Sequence, residues 1–308
     1  MRLVCLLTLL LAPIAFAAPA LDPGVGGPLP VGVTTLTLTD AARARTLVTE
    51  VWYPAVSAGR DAELHHGRDA LVLVAHGHCG SRTNYEFLTE HLASWGFVVA
   101  APDIPMFCLS DGPLGDVVHD PARDYQFLDA TFFSGEGETA PFRRILRRRA
   151  QRTGIVGHSL AGLSLVDAAE TQVVFAAVLG LAPAVGATQG SSYAAAIVSR
   201  PRGRRPAVMA MGGTADTTVS FTGLTQPFFD PLPPPAFLLK IVGGTHSGFT
   251  DHDSLLSPAA LARQQLLVRR YATAFLSRYV ARRGRFGRFL TAVDATAQGA
   301  DVELTARP

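Results

Sequence analysis

One serine of this chain lies at the junction between a predicted strand and a predicted helix. It occurs in the segment Gly157-His158-Ser159-Leu160-Ala161, which follows one apolar run and precedes another. A strand that turns sharply into a helix exposes a nucleophilic serine, provided that the residues two before and two after it are small. Gly157 and Ala161 meet that requirement. We therefore predict that Ser159 is a nucleophile, with a structural serine in a glycine-rich turn as the alternative.

A serine hydroxyl needs a positioned base to become a nucleophile at neutral pH. On a strand-to-helix turn of this kind, the usual chain order is serine, acid, histidine. Only two histidines follow Ser159, namely His246 and His252. His246 stands in a glycine-rich segment directly after an apolar strand run, so we predict it to be the base. His158, beside the serine, is predicted to be a packing or hydrogen-bonding residue.

The base needs a carboxylate to orient it, and Asp216 is the candidate. It follows the apolar run 207–212 through Gly213 and two further residues, so it too comes directly after a predicted strand. Asp251 and Asp253 are the fallback acids, but they follow the histidine and break the usual order. The alternative for Asp216 itself is an aspartate that only caps a turn.

Acyl transfer also needs two backbone N–H groups that point at the developing oxyanion. Leu160, directly after the serine, is predicted to supply one. The second is expected from His78, in the segment His76-Gly77-His78-Cys79-Gly80 after the apolar run 70–75. The His76 and His78 side chains also have a spacing compatible with metal binding. The aspartate and histidine that would complete a binuclear site do not follow, so we predict no metal.

Strand-like runs alternate with helical patterns along the chain. The predicted strands are 31–39, 46–53, 70–75, 97–101, 153–157, 175–181, 207–212 and 237–242, and the clearest helices are 84–95 and 259–282. This alternation predicts an α/β fold with a mostly parallel central sheet and helices on both faces. Reactive groups gather at the carboxyl ends of such strands, where Ser159, Asp216 and His246 all fall.

The chain shows neither an internal repeat nor a linker-like change in composition. We expect one domain over residues 18–308, with a core at about 31–283. The proline-rich segment 226–235 is predicted to be a loop. The tail after Arg283 is expected to be either a peripheral strand or partly disordered.

Composition excludes some classes of function. Apolar residues make up 48% of the chain and charged residues 17%, which is typical of a globular protein. The net charge of +2 gives no reason to expect a nucleic-acid partner. Arginines are dense over residues 142–152 and alternate with apolar residues at helical spacing. This pattern predicts the solvated face of an amphipathic helix, with a polyanion or headgroup site as the alternative.

The N-terminus has the pattern of a secretory signal peptide. A positive charge at Arg2 precedes an apolar run over residues 3–11, and small residues follow at Ala15 and Ala17. We predict cleavage near Ala17 and a secreted or periplasmic protein. A retained membrane anchor is the alternative. However, the run is interrupted by Pro13 and is shorter than the roughly 20 residues of a spanning helix.

Six segments together resemble bacterial dienelactone-hydrolase-like proteins, and are similar to platelet-activating-factor acetylhydrolases, chlorophyllases and bacterial cutinases. They are Arg45–Ala55, His76–Tyr85, Phe97–Asp103, the Ser159 turn, Gly213–Asp216 and His246–Asp251. The resemblance implies an α/β-hydrolase fold and an ester hydrolase without metal or organic cofactor. It carries the triad onto Ser159, Asp216 and His246, and the oxyanion N–H groups onto His78 and Leu160. True dienelactone hydrolases have a cysteine nucleophile, which argues against dienelactone itself as the substrate.

In the α/β-hydrolase fold, the strands predicted at 70–75 and 97–101 are neighbours. The loops that follow them hold Cys79 and Cys108, and export would place both thiols in an oxidising compartment. We therefore predict a disulfide between Cys79 and Cys108. Two unrelated thiols are the alternative.

These observations lead us to expect a serine carboxylic-ester hydrolase that acts on a small-molecule, lipid or polymer ester through an acyl-enzyme. A monomer without a stable membrane anchor or a nucleic-acid partner is expected. The alternatives are a polyester or cutin-type hydrolase, a serine peptidase and a non-catalytic binding protein. Six phenylalanines are candidates for an acyl pocket or for the core: Phe107, Phe132, Phe133, Phe228, Phe229 and Phe249.

Overall fold

The described part of the chain forms one ten-stranded β-sheet. The computed structural model describes residues 21–308 except 109, 111, 147–152 and 171–174, so the predicted signal segment lies outside the described residues. The strands are β1 (Val31–Asp40), β2 (Arg45–Pro54), β3 (Gly59–Arg60), β4 (Ala70–Ala75), β5 (Phe97–Pro102), β6 (Gly154–His158), β7 (Ala177–Leu181), β8 (Ala207–Gly213), β9 (Ala236–Ile241) and β10 (Val302–Arg307). Their order in the sheet is β10-β9-β8-β7-β6-β4-β5-β2-β1-β3.

The centre of the sheet is parallel. Strands β5, β4, β6, β7, β8 and β9 pair in parallel in that order. The pairs β1–β2 and β2–β5 on one side, and β9–β10 on the other, are antiparallel. The α/β fold predicted from the sequence is confirmed.

Helices cover both faces of the sheet. They are α1 (Glu86–Ser94), α2 (Leu114–Ser134), α3 (Ala161–Glu170), α4 (Ala187–Val198), α5 (Gln226–Phe229), α6 (Pro258–Tyr279) and α7 (Ala292–Gln298). In β4, Val72 and Val74 pack into the apolar cluster that contains α1 and α6. The alternate residues Leu71 and Leu73 pack into the cluster that contains α2 and α3. Both faces of the strand are therefore buried, which explains its unbroken apolar run.

The prediction of a loop over residues 226–235 is wrong for the first four of these residues. Residues Gln226–Phe229 form the short helix α5, and the Phe228 and Phe229 side chains are buried. The helix tolerates Pro227 because a proline in the first helical turn lacks only an N–H that would have no intrahelical acceptor. The prolines that end regular structure begin at Pro231.

The prediction of an amphipathic helix over residues 142–152 is also wrong for the first residues of this range. Residues Phe142–Arg144 form a single 3-10 turn, after which the Ile145 carbonyl accepts the Asp69 N–H at 2.8 Å. This bond and the bridge between Asp69 and Leu146 turn the chain away from a helix. Phe142 and Leu146 are nevertheless buried, as their apolar character predicts. The later arginines of the run lie outside the described residues.

The C-terminal tail is ordered and completes the sheet. A 3-10 helix (Gly284–Phe289), then α7 and β10, follow Arg283, and β10 pairs with β9 at the edge. Among the helices that the structure describes, none combines the length and apolar character needed to cross a membrane.

Candidate active site

Ser159 lies on a tight turn between β6 and α3. Its φ of +54° is in the left-handed region, which is strained for a non-glycine residue. The Ser159 N–H donates to the Leu181 carbonyl of β7 at 3.0 Å, and the Ser159 carbonyl accepts the N–H groups of Gly162 and Ala184, each at 2.9 Å. These three bonds hold the turn in place.

The turn explains why small residues flank the serine. A Cβ added to Gly157 would lie 3.2 Å from the Ala161 Cβ and 2.8 Å from Leu165 Cδ1. The two positions therefore face each other across the turn, and Ala161 is completely buried. Alanine at 161 is tolerated because its partner at 157 has no side chain.

Ser159, His246 and Asp216 form one line of hydrogen bonds. The His246 Nε2 atom lies 2.9 Å from Ser159 Oγ, and the His246 Nδ1 atom lies 2.8 Å from Asp216 Oδ2. The other carboxylate oxygen, Oδ1, accepts the N–H groups of Thr218 at 2.8 Å and Val219 at 2.7 Å. Because the Asp216 carboxylate is buried and acceptor-only when ionised, it favours the tautomer with hydrogen on Nδ1. The His246 Nε2 atom is then free to accept the serine proton.

The loops after β8 and β9 bring the acid and the histidine together. The Ala215 N–H donates to the Gly244 carbonyl at 2.9 Å. A Cβ added to Gly213 would lie only 2.1 Å from that same carbonyl oxygen. A residue without a side chain is therefore required at 213, where the two loops touch.

The loop after β4 lies against the serine. A Cβ added to Gly77 would be 3.1 Å from the Ser159 Cβ. His78 and Ser159 both line a cleft of about 460 Å³. Within the described residues, the Leu160 N–H has no hydrogen-bond acceptor. Of the two residues predicted to donate to an oxyanion, His78 therefore borders the cleft beside the serine, and Leu160 directly follows Ser159 in the turn.

Tyr85 joins the Gly77 loop to the serine turn, which the sequence did not reveal. Its hydroxyl accepts the Gly77 N–H at 3.0 Å and lies 3.0 Å from His158 Nδ1. The Tyr85 hydroxyl is therefore in contact with both the loop after β4 and the residue directly before Ser159. The sequence placed Tyr85 in the predicted helix 84–95 but did not indicate this contact, because His158 is 73 residues away.

His158 is buried directly behind His246. The two ring centroids are 4.6 Å apart. Burial, reinforced by the proximity of His246, lowers the pKa of His158 to about 3. His158 is therefore neutral at physiological pH. This agrees with the packing and hydrogen-bonding role predicted for it, although its contact with the His246 ring was not foreseen.

His76 has both ring nitrogens engaged. Its Nε2 accepts the Ile104 N–H at 2.9 Å, so Nδ1 carries the hydrogen and donates to the Gly77 carbonyl at 2.8 Å. Burial lowers the pKa of the His76 imidazole, which keeps this neutral tautomer. His76 thus ties the loop after β4 to the loop after β5.

The structure contains the predicted disulfide between Cys79 and Cys108, whose Cα atoms are 4.9 Å apart. The Cys79 N–H also donates to the Phe107 carbonyl at 3.0 Å. The two sulfur atoms lie near the His78 ring, but in a disulfide they are not thiolate ligands for a metal.

The six phenylalanines suggested for an acyl pocket do not line the described part of the cleft. Five are buried, namely Phe107, Phe132, Phe228, Phe229 and Phe249, and Phe133 packs against the core. The core interpretation of these residues accounts for their positions.

The mostly parallel sheet, with a serine on the turn after β6 and an acid and a histidine after β8 and β9, defines an α/β-hydrolase. The chlorophyllase family model matches residues 62–212, which include the His78 loop and Ser159 but end before Asp216 and His246. Over these residues the chain is similar to the chlorophyllases, which are α/β-hydrolases, and its fold is that of the α/β-hydrolases. No curated protein matches the chain. The family match indicates a hydrolase of the ester-cleaving type.

Proposed function

We propose that the chain is a serine carboxylic-ester hydrolase, formed by one domain, in which Ser159 attacks the ester and becomes acylated. The observation that carries this proposal is the unbroken line from Ser159 Oγ through His246 to Asp216, with distances of 2.9 and 2.8 Å. A nucleophile and base within hydrogen-bonding reach, with a third group orienting the base, is the arrangement that nucleophilic catalysis requires.

In the acylation step, Ser159 Oγ bonds to the ester carbonyl carbon while His246 Nε2 takes the serine proton. The carbonyl oxygen becomes an oxyanion, which the His78 and Leu160 N–H groups stabilise. As the intermediate collapses, the bond to the alcohol breaks and His246 returns the proton to the departing oxygen. Asp216 stabilises the imidazolium between these two transfers.

In the deacylation step, water takes the place of the alcohol. His246 removes a proton from the water, whose oxygen bonds to the acyl carbon, and the same two N–H groups hold the second oxyanion. Collapse of this intermediate breaks the bond to Ser159 Oγ, and His246 returns the proton to the serine. The products are a carboxylic acid and an alcohol.

We propose a small-molecule, lipid or polymer ester as the substrate. The cleft of about 460 Å³ lies beside Ser159 and is bordered by polar residues that include His78, Asn84, Thr218 and His252. This volume is within the range of small-molecule sites. A series of p-nitrophenyl esters from acetate to palmitate, together with a polyester film, would define the acyl length and test for polymers.

The decisive experiment compares the wild type with Ser159→Ala on p-nitrophenyl acetate. We expect kcat to fall by about 10⁴-fold or more, because loss of the nucleophile removes the covalent route. A fluorophosphonate probe should label the wild type and leave Ser159→Ala unlabelled. Full activity in Ser159→Ala would refute the assignment, and absence of labelling in the wild type would favour a non-catalytic protein. Faster cleavage of amides than of matched esters would favour a peptidase.

We also propose that the protein is exported after removal of residues 1–17 and acts as a monomer. The N-terminal pattern and the Cys79–Cys108 disulfide support export. N-terminal sequencing of the protein recovered outside the cytoplasm should find a chain that begins near Ala18. An intact Met1 on the exported protein would contradict the proposed cleavage.

A further inference from the structure

A second carboxylate lies beside the proposed base but does not touch its ring. The Asp253 Oδ2 atom accepts the Thr245 hydroxyl at 2.5 Å and the Ser247 hydroxyl at 2.8 Å. Thr245 and Ser247 are the residues directly before and after His246. One carboxylate oxygen therefore holds both chain neighbours of the histidine.

The Asp253 carboxylate is itself anchored in a turn. Its other oxygen, Oδ1, accepts the N–H groups of Leu255 at 2.5 Å and Leu256 at 2.9 Å. Partial burial raises the pKa of the Asp253 carboxyl, but the hydrogen bonds that it accepts outweigh this effect and hold the pKa below its usual value. At neutral pH the group is an anion with no proton to give, so both hydroxyls donate to it. Bonds of this kind are stronger than those between neutral groups.

Thr245 is held from a second direction by Gln264 of α6. The Thr245 N–H donates to Gln264 Oε1 at 3.1 Å, and the Thr245 carbonyl accepts from Gln264 Nε2 at 3.0 Å. The Thr245 hydroxyl also accepts the Gly248 N–H at 3.2 Å. Every polar atom of Thr245 is thus engaged, and both Thr245 and Gln264 are buried.

This bracing adds to bonds that hold the entry to the loop. Val242, Gly243 and Gly244 join β9 to Thr245, and Gly243 has a φ of +75°. The Gly243 N–H donates to Thr214 Oγ1 at 2.9 Å, and the Gly244 carbonyl accepts the Ala215 N–H at 2.9 Å, so the entry is tied to the loop after β8. A displacement of about 1 Å in a catalytic group lowers turnover by roughly 10²-fold. The contacts of Thr245 and Ser247 therefore fix the two residues next to His246, beyond the point that the bonds at the glycines hold.

Asp251, the other acid close after His246, has a different contact. Its Oδ2 accepts the Glu86 N–H at 2.7 Å and its Oδ1 accepts the Phe87 N–H at 2.8 Å, so it caps the N-terminus of α1. Both fallback acids are therefore occupied elsewhere, while the carboxylate of Asp216 contacts His246.

We propose that Asp253 is a positioning residue for His246, acting through Thr245 and Ser247 and supported by Gln264. This inference rests on the proposed function, in which His246 is the base. Asp253 touches neither the substrate nor the reacting atoms. Its removal should lower the rate of both chemical steps while leaving the cleft, and hence substrate binding, nearly unchanged.

The test uses matched variants of the full mature chain with p-nitrophenyl acetate as the substrate. Asp253→Ala should lower kcat by about 10–100-fold with KM within twofold of the wild type. Thr245→Val keeps the side-chain shape without the hydroxyl and should lower kcat about tenfold, whereas Thr245→Ser keeps the hydroxyl and should restore kcat to within twofold. The rate of fluorophosphonate labelling should fall in parallel with kcat.

A double variant and a stability control separate positioning from general loss of fold. Because Asp253 acts through the Thr245 hydroxyl, removing that hydroxyl from a protein that already lacks the carboxylate should have no further effect, so the Thr245→Val/Asp253→Ala protein should be no slower than Asp253→Ala alone. Thr291→Ala removes the hydroxyl that accepts the Asp294 N–H at 3.1 Å and caps α7. It should lower thermal stability and leave kcat unchanged.

Wild-type kcat in both Asp253→Ala and Thr245→Val, with Ser159→Ala inactive, would overturn the positioning role and leave the proposed function intact. The positioning role would also be overturned if the fall in kcat of the double variant equalled the product of the two single-variant falls. A fall in kcat of Thr291→Ala as large as that of Asp253→Ala would overturn it as well. If Asp253→Ala does not fold, the comparison of Thr245→Val with Thr245→Ser decides. Full activity in Ser159→Ala would instead refute the proposed function itself.

Discussion

The Cys79–Cys108 disulfide should contribute a stability that the length of its loop determines. The two cysteines are 29 residues apart in the sequence. Closing a loop of that length removes about 12 cal/mol/K of entropy from the unfolded chain, which is about 3.6 kcal/mol at 25 °C. Total stabilities of single domains are about 5–15 kcal/mol. Loss of this bond should therefore remove a large part of the free energy of unfolding.

The same change should affect turnover much less. The segment that carries His78 stays attached through the Ile104 N–H bond to His76, the Cys79 N–H bond to Phe107 and the Gly77 N–H bond to Tyr85. Complete loss of one oxyanion donor costs about 10²–10³-fold in kcat. With three hydrogen bonds left in place, we expect a loss of less than about tenfold.

The assay compares urea unfolding and p-nitrophenyl acetate hydrolysis for the oxidised protein and the Cys79→Ser/Cys108→Ser protein. The oxidised protein treated with a reductant serves as the matched control for the serine side chains. The m-value should rise when the bond is absent, because the unfolded chain then exposes more surface. A stability change below about 1 kcal/mol would refute the loop-entropy reasoning. A loss of kcat above about 100-fold in a folded protein would show that the three hydrogen bonds do not hold the loop.

Three further predictions follow from the site and the core. Asp216→Asn should lower kcat by about 10⁴-fold with little change in melting temperature, because the amide no longer selects the required tautomer of His246. Gly213→Ala should lower the free energy of unfolding by about 3 kcal/mol and lower kcat at least about tenfold. The added Cβ would lie 2.1 Å from the Gly244 carbonyl oxygen and push the loops after β8 and β9 apart. His91→Gln should reduce the acid sensitivity of the fold. Burial lowers the pKa of His91 in the folded protein to about 4, whereas a histidine in the unfolded chain has a pKa of about 6.5. The unfolded chain therefore binds the proton first, and the free energy of unfolding of the wild type falls as the pH decreases from about 6.5 towards 4.

The His91 effect should reach about 3 kcal/mol at pH 4, and Gln keeps an N–H that can reach the Pro23 carbonyl. Urea unfolding at several pH values would measure it, and identical pH profiles for the two proteins would contradict it. For Asp216→Asn, steady-state kinetics with kcat within tenfold of the wild type would show that the carboxylate is dispensable. For Gly213→Ala, unchanged stability and kcat would show that the two loops separate at no cost.

The apolar runs of the sequence were sufficient to predict the α/β fold. A strand buried on both faces must be apolar throughout, and a glycine-rich or polar segment must follow where it ends. Such local rules located the central strands to within a few residues, and they placed Ser159, Asp216 and His246 at the ends of β6, β8 and β9. The same rules failed where backbone contacts between distant segments decided the outcome. The 3-10 turn at Phe142–Arg144 is the example, because the Asp69 N–H bonds to the Ile145 carbonyl. The short helix α5 was missed for a local reason, since a proline in the first helical turn does not prevent a helix.

Only the tertiary structure decided which aspartate contacts the His246 ring and which side chains contact the residues on either side of it. Asp216 is 30 residues from His246, and Ser159 is 87 residues away, yet their atoms meet within 2.9 Å. Asp253 is nearer in sequence, but its carboxylate contacts Thr245 and Ser247 instead of the histidine ring. A hydrogen bond depends on the direction and distance of two groups in space, and spacing along the chain does not determine either once a loop intervenes. The residue types needed for chemistry were therefore visible in the sequence, while their pairing came from the packing of β8, β9 and α6.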